Sequence, residues 1–441
     1  MKVLSIDASR NVDSVPFRSA DPGTVAGKPR HGGLERLRVM ATLGVVLLHA
    51  CVPYLKHPMP GLAWPVRDTP SEWLDVTFWA IEVFIMPVFL VMTGMFAWQT
   101  LQRRGAADLM RTRLSRLGKP FLFGMMVILP AELYIWVGGW VYEGWVDAVK
   151  LKSLKIDGAL GNSLWGTSHL WFLLYVLSYV GIVAGIATWM QRNPAEKRYR
   201  FIQQPFGSRV ALILLAGIGI CTLCFRPEVV WGFQHDFLPV PSKWIYSGTF
   251  FLGGMWIVSQ DKRLHRIQTL TRPLVITAVM SLGAAVAVGR WHLAGHQPDT
   301  AMSQASGILL GTTTTLAAWA VSLAAIGFFQ AQERPISKKT QYVAAASFWI
   351  YLVHHPLLGL MHIDTKFLLP QVPSLVKGVF CFLAALSVSL LTYEAVVRQS
   401  ALGRWLGMTW SPKTETSGTD NADPVILKHL ETAATPRRRA A

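Results

Sequence analysis

The chain has 441 residues, 52% of them hydrophobic and only 15% charged, with 18 Trp and 21 Phe. A soluble domain carries roughly 25% charged residues, so this composition excludes that class and points to a polytopic membrane protein. The formal net charge of +17 would suit a nucleic-acid partner, but the cations cluster between apolar runs, as in membrane loops, and no nucleic-acid partner is expected.

Residues 1–33 are polar, with Pro, Gly and mixed charges and no apolar signal-peptide core, and are expected to form a cytoplasmic tail. Ten apolar runs follow, near 36–55, 75–98, 119–139, 169–190, 209–225, 243–259, 273–290, 305–330, 343–362 and 375–397. About 20 apolar residues cross a hydrocarbon layer. The expected fold is therefore an all-α transmembrane bundle over 34–400, with a disordered cytoplasmic tail over 401–441 that ends RRRAA. With the N-terminus inside, 31 of the 42 Lys and Arg fall in inside segments and 9 in outside segments. That asymmetry predicts that both termini are cytoplasmic. The four cysteines lie in or beside apolar runs, and the Cys221–Cys224 pair has no second pair to complete a metal site. They read as packing residues, and no metal is expected.

This orientation brings several ionisable residues to one outer depth: His49 in the first span, Glu82 in the second, Glu132 in the third, His169 and Trp171 opening the fourth, and His354 and His355 in the ninth. Ionisable groups are costly inside a bilayer, so their convergence predicts a polar cavity open to the outside. The inner layer is basic. Arg113 and Arg116 stand three residues apart before Lys119 and Pro120, and Arg38 lies at the same level. Eleven helical steps separate Arg38 from His49, which puts both on nearly one face and about 16 Å apart. Such a basic face suits either anionic lipid headgroups or a phosphorylated cytosolic ligand.

Arg38 and His49 at an Arg-x10-His spacing, RLSRLGKPF at 113–121, SHLWFL at 168–173 and SFWIYLVHHP at 347–356 together resemble the acyltransferase family 3 membrane proteins. Within that family, FWAIEVFIMPVFLVMTGMF at 78–96 is similar to the glucans biosynthesis protein C branch. The resemblance implies an enzyme of the bacterial inner membrane that moves an acyl group, succinyl or acetyl, from a cytosolic acyl-CoA to a hydroxyl of a periplasmic or cell-surface glycan. It implies acyl-CoA as co-substrate with no permanently bound cofactor, and other glucan-biosynthesis proteins as partners. On this reading Arg38, Arg113 and Arg116 hold the donor phosphates, and Glu132, His169 and Trp171 face the acceptor. His49 acts as general base, oriented by Glu82 or Glu132, with His354 or His355 completing the catalytic group. Transient acylation of His49 is an alternative chemistry. A different class of function, a secondary transporter with a His–Glu proton relay, also fits buried ionisable residues, although no internal repeat relates the two halves.

Overall fold

The computed structural model of the protein describes residues 32–192, 210–295, 301–332 and 335–409. The described residues contain helices and no strand, as a lipid environment requires of open-ended segments whose backbone groups must pair internally. The principal helices are α1 (Gly32–Cys51), α2 (Glu72–Arg113), α3 (Leu129–Tyr142), α4 (Trp171–Arg192) and α5 (Val210–Phe225). They continue as α6 (Pro241–Gln260), α7 (Thr271–Leu293), α8 (Ala301–Gln330), α9 (Lys338–Leu368), α10 (Ser374–Thr392) and α11 (Ala401–Leu406). Each of the ten expected spans coincides with one of these helices or with a run that extends it. Among the described residues, seven helical runs are long and apolar enough to cross a membrane, and one of them, Glu72–Tyr142, covers two expected spans.

That 71-residue run is broken at Gly105. Its φ of 82° and ψ of 178° are unavailable to a side-chain-bearing residue without strain, so the chain bends there. Beyond the bend, two five-residue π-helical turns, Leu114–Gly118 and Gly124–Ile128, flank Lys119–Phe123 and lead into α3. π-turns widen the helix locally and are frequent at functional sites. At the centre of the bundle α2 and α6 pack backbone to backbone. A Cβ at Gly94 would stand 2.0 Å from the Phe251 carbonyl oxygen, and one at Gly254 would stand 2.0 Å from that of Val91. Small residues at such crossings let dispersion hold helices together where lipid supplies no hydrophobic drive.

α1 and α9 are the most enclosed of the spanning helices, at 61% and 67% of their apolar windows, against 28% for α7 and for α10. α9 carries three fully buried imidazoles, His354, His355 and His362, and α1 carries His49 against the first two. The segment 55–71, expected as a simple outer loop, instead folds into the bundle. Trp64 is 6% exposed, and the indole N–H groups of Trp136 and Trp140 donate to the carbonyls of Ala63 and Trp64, both at 2.8 Å. Two charges on other elements, Lys377 and Asp75, hold this segment down, and Arg290 backs Asp75. Lys377 Nζ meets Asp68 Oδ2 at 2.5 Å, while Arg290 meets Asp75 Oδ2 at 2.8 Å and also pairs with Glu72. His57 closes the set, with its backbone N–H at 2.8 Å and Nδ1 at 3.1 Å from the Asp75 carboxylate.

The first residues of the tail expected from 401 are folded. Residues 401–409 form a short helix and a turn packed against the bundle, where Ser400 caps Gly403 N–H at 3.0 Å and Tyr393 Oη donates to the Met408 carbonyl at 2.8 Å. The remainder of that tail, and the N-terminal tail up to residue 31, lie outside the described residues.

Candidate active site

α1 presents Arg38, Thr42, Val45 and His49 along one face, at i, i+4, i+7 and i+11, the stripe a 3.6-residue period dictates. Two cavities lie along it. The inner one, about 430 Å³, is lined by Arg38, Arg113 and Arg116 at its basic part and by Phe89, Phe96 and Phe348 among its apolar walls. Arg38 is fixed by donating to the Ala344 carbonyl at 2.9 Å. Arg113 lines this cavity, and its Nε is buried without an acceptor. Leu406 and Met408, from the segment that was expected to be tail, also line it. The outer cavity, about 40 Å³, is lined by His49, Glu82, His169, Trp171, Lys243 and Tyr351 among others. The two cavities share Val45, Met86 and Tyr351.

Hydrogen-bond geometry fixes the tautomer of His49. His354 Nδ1 lies 2.8 Å from the Tyr351 carbonyl, so it carries the hydrogen and leaves the Nε2 lone pair facing His49. His49 Nδ1 then has two acceptors, the Val45 carbonyl at 2.9 Å and His354 Nε2 at 3.3 Å. It must be the N–H, which places the lone pair of neutral His49 on Nε2. His49 therefore has a basic nitrogen held by an N–H on its far side, the arrangement that activates and orients an imidazole base.

The carboxylate expected to orient His49 lies elsewhere in the cluster. Glu132, 3% exposed, accepts from Ser168 Oγ. It lies 3.0 Å from His355 Nδ1 and 3.2 Å from His169 Nδ1. Both imidazole contacts lack hydrogen-bond alignment, which leaves Glu132 Oε2, His169 Nδ1 and both His355 nitrogens buried without an aligned partner. His169 Nε2 faces the Leu352 carbonyl at 3.2 Å, so that nitrogen is the N–H and Nδ1 presents its lone pair to Glu132. A carboxylate oxygen and an imidazole lone pair 3.2 Å apart repel one another unless a proton or a cation stands between them. The ligand atoms of Glu132, His169 and His355 lie within 4.8 Å of one another, so these three are also the residues able to hold a divalent cation. His355 links this cluster to His49, the two ring centroids being 4.7 Å apart.

The other sequence candidates are placed as follows. Glu82 lines the outer cavity and forms no hydrogen bond or ion pair with these histidines among the described residues. Its role as an orienting acid for His49 is therefore replaced by the His354 imidazole and the Val45 carbonyl. Lys243 shares the outer cavity with Glu82; it donates to the Gln234 carbonyl at 2.7 Å and stands 3.7 Å from the centroid of a Trp171 ring. Trp171, expected to face the acceptor, thus has its ring covered by the Lys243 amine. His354 and His355 both pack against the His49 ring, with centroids 5.0 and 4.7 Å from it.

Sequence reasoning passed over four residues here. Trp64 donates to His362 Nδ1 at 3.1 Å and lies over His49, with centroids 6.2 Å apart and planes 19° apart. His362 follows His355 by seven residues, two helical turns, and that spacing was a usable signal. Ser168 and His235 gave none. His235 packs in the loop before α6, where burial and the neighbouring Lys243 cation hold it below the usual imidazole range. It stays neutral, and its Nδ1 accepts the Ser168 N–H at 3.3 Å.

A family model described as an acyltransferase domain matches residues 31–394. The chain belongs to acyltransferase family 3. It is a multi-pass membrane acyltransferase, which decides against the transporter reading. It is similar to the glucans biosynthesis protein C of Salmonella heidelberg, 25% identical over 383 residues that cover 84% of this chain and 92% of the relative. The protein of the same name from Salmonella typhi is similar to the same extent, 25% over 383 residues. No solved structure matches the chain.

Proposed function

We propose that this acyltransferase takes an acyl group, succinyl or acetyl, from acyl-CoA on the cytosolic side of a bacterial inner membrane and passes it to a hydroxyl of a periplasmic glycan, such as an osmoregulated glucan. The observation that carries the reading is the pair of cavities on one axis, with three arginines on the inner one and His49 on the outer one, meeting at Val45, Met86 and Tyr351. Arg38, Arg113 and Arg116 supply planar donors suited to the phosphates of the carrier. The thioester end then reaches outward along the face of α1.

His49 Nε2 removes the proton of the acceptor hydroxyl as its oxygen attacks the thioester carbonyl. The new C–O bond forms, the C–S bond breaks, and the imidazolium returns its proton to the departing thiolate. His354 Nε2 and the Val45 carbonyl accept from Nδ1–H throughout and stabilise the imidazolium, the part a carboxylate plays in a Ser–His–Asp arrangement. The Glu132–His355–His169 cluster keeps the ring beside His49 in place and buffers its charge. The names of the similar Salmonella proteins support a glucan as acceptor.

Purified protein in nanodiscs, supplied with succinyl-CoA or acetyl-CoA and a linear glucan, is expected to release free CoA and increase glucan mass by one acyl unit per thioester consumed. CoA release that is unaffected by His49→Gln would overturn the mechanism. No glucan mass change with any acyl donor would overturn the acceptor class.

A further inference from the structure

The two cavities abut at a partition with unequal walls. Val45 is 3% exposed and β-branched, so on a helix it holds one rotamer. Tyr351 is anchored twice: its hydroxyl donates to the His169 carbonyl at 2.6 Å, and its ring stacks on Phe348 with centroids 5.9 Å apart and planes 11° apart. Met86 differs from both. Its side chain is unbranched and free to turn about three bonds. It also directly precedes Pro87, inside α2, where the missing N–H leaves the Val83 carbonyl without its helical donor and allows the helix to bend. Of the three residues shared by the cavities, Met86 is the one built to move.

Beyond the partition the space is small. The outer cavity, about 40 Å³ against about 430 Å³ for the inner one, has room for about three waters, taking 10–15 Å³ for each. An acyl group entering it past Met86 has space for only a few carbon atoms beyond the thioester carbonyl.

We propose that Met86 is a specificity-determining residue, the threshold that limits how long an acyl group can be delivered from the inner cavity to His49. The inference rests on the acyl-CoA reading above and adds a length limit and the residue that sets it. Short acyl thioesters, of two to four carbons, pass the side chain. Longer straight chains meet Met86 on one side and the fixed Tyr351 ring on the other.

The test is a donor series of straight-chain acyl-CoAs with two, four, six and eight carbons, read as kcat/KM for transfer to glucan by the full chain in nanodiscs. The wild type is expected to fall about tenfold or more between four and six carbons. Met86→Ala should raise the six-to-two-carbon ratio about tenfold, and Met86→Phe should lower the four-to-two-carbon ratio by a similar factor. Val45→Ala widens the same opening from the other wall and keeps the α1 backbone, so it serves if a Met86 variant fails to insert; a smaller shift in the same direction is expected. Length ratios within twofold of wild type in all variants that fold would overturn the threshold while leaving the acyl-CoA reading intact. No transfer from any acyl-CoA by the wild type would remove the reading itself, and this inference with it.

Discussion

At the scale of single residues, the geometry makes His49 a directed base because both of its nitrogens are spoken for differently. Nδ1 has two acceptors, at 2.9 and 3.3 Å, so Nε2 alone is left to take a proton. Positioned base catalysis contributes about 10²–10⁴-fold, so His49→Ala should lower turnover by about 10² or more while folded yield is kept. His49→Gln retains hydrogen-bonding reach without a usable base and should be nearly as poor; near wild-type turnover in that variant would return the histidine to a packing role. The donor arginines separate by a different readout. Arg113→Ala or Arg116→Ala should raise KM for acyl-CoA about tenfold and leave the glucan KM nearly unchanged, and lysine at either position should rescue little, since it lacks the planar fork. Unchanged donor saturation in both would leave lipid headgroups as the partners of this cluster. The sequence made His49 and the arginines visible because each is an ionisable residue in or beside an apolar run. It could not rank Glu82 against Glu132. Both are acids at similar depth in neighbouring spans, and only packing of α3 against α9 brings one of them within 3.0 Å of an imidazole.

At the scale of elements, the least legible part was 55–71. It is short, contains Pro58, Pro60, Pro65 and Pro70, and reads as an exposed connection. Its burial depends on partners far along the chain: Trp136 and Trp140 for its carbonyls, Lys377 for Asp68, and Arg290 for the start of α2. No local pattern carries such information. The folded segment covers the histidine cluster by laying Trp64 over His49 and setting it perpendicular to His355. Its clasp should matter to stability more than to chemistry. Asp75 is fully buried and receives both Arg290 and His57. Breaking a buried pair by removing one partner costs on the order of 3 kcal/mol. Asp75→Ala should therefore lower the thermal midpoint in detergent and loosen the loop 55–71 in hydrogen exchange, while acyl-CoA saturation stays near wild type. An unchanged midpoint with a changed donor KM would show that the clasp acts on the inner cavity instead.

At the scale of the whole molecule, the helical bundle was legible because apolar length and charge asymmetry are additive properties of the sequence, insensitive to the details of packing. Two elements strained that reading for identifiable reasons. α5 has only 16 residues, short for a span that needs about 20, and α6 carries several polar residues that dilute its apolar character, among them Lys243, which lines the outer cavity. The transfer reading requires a definite orientation: the arginine-lined cavity must open to the cytosol, where acyl-CoA is, and the histidines must lie toward the glycan. The split of 31 Lys and Arg in the segments expected inside and 9 in those expected outside predicts ten spans with both chain ends in the cytosol. A reporter active only in the periplasm, fused after Thr409, should therefore give no signal, whereas the same reporter inserted after Glu143, at the outer end of α3, should give a strong one. The two fusions check each other, because an even number of misassigned spans leaves the C-terminal result unchanged but an error before α3 inverts the second. Periplasmic activity from the Thr409 fusion would show a missed or invented span. If the Glu143 fusion were silent as well, the arginine cavity would face away from the acyl-CoA pool, and the assignment of Arg38, Arg113 and Arg116 to the donor would fall.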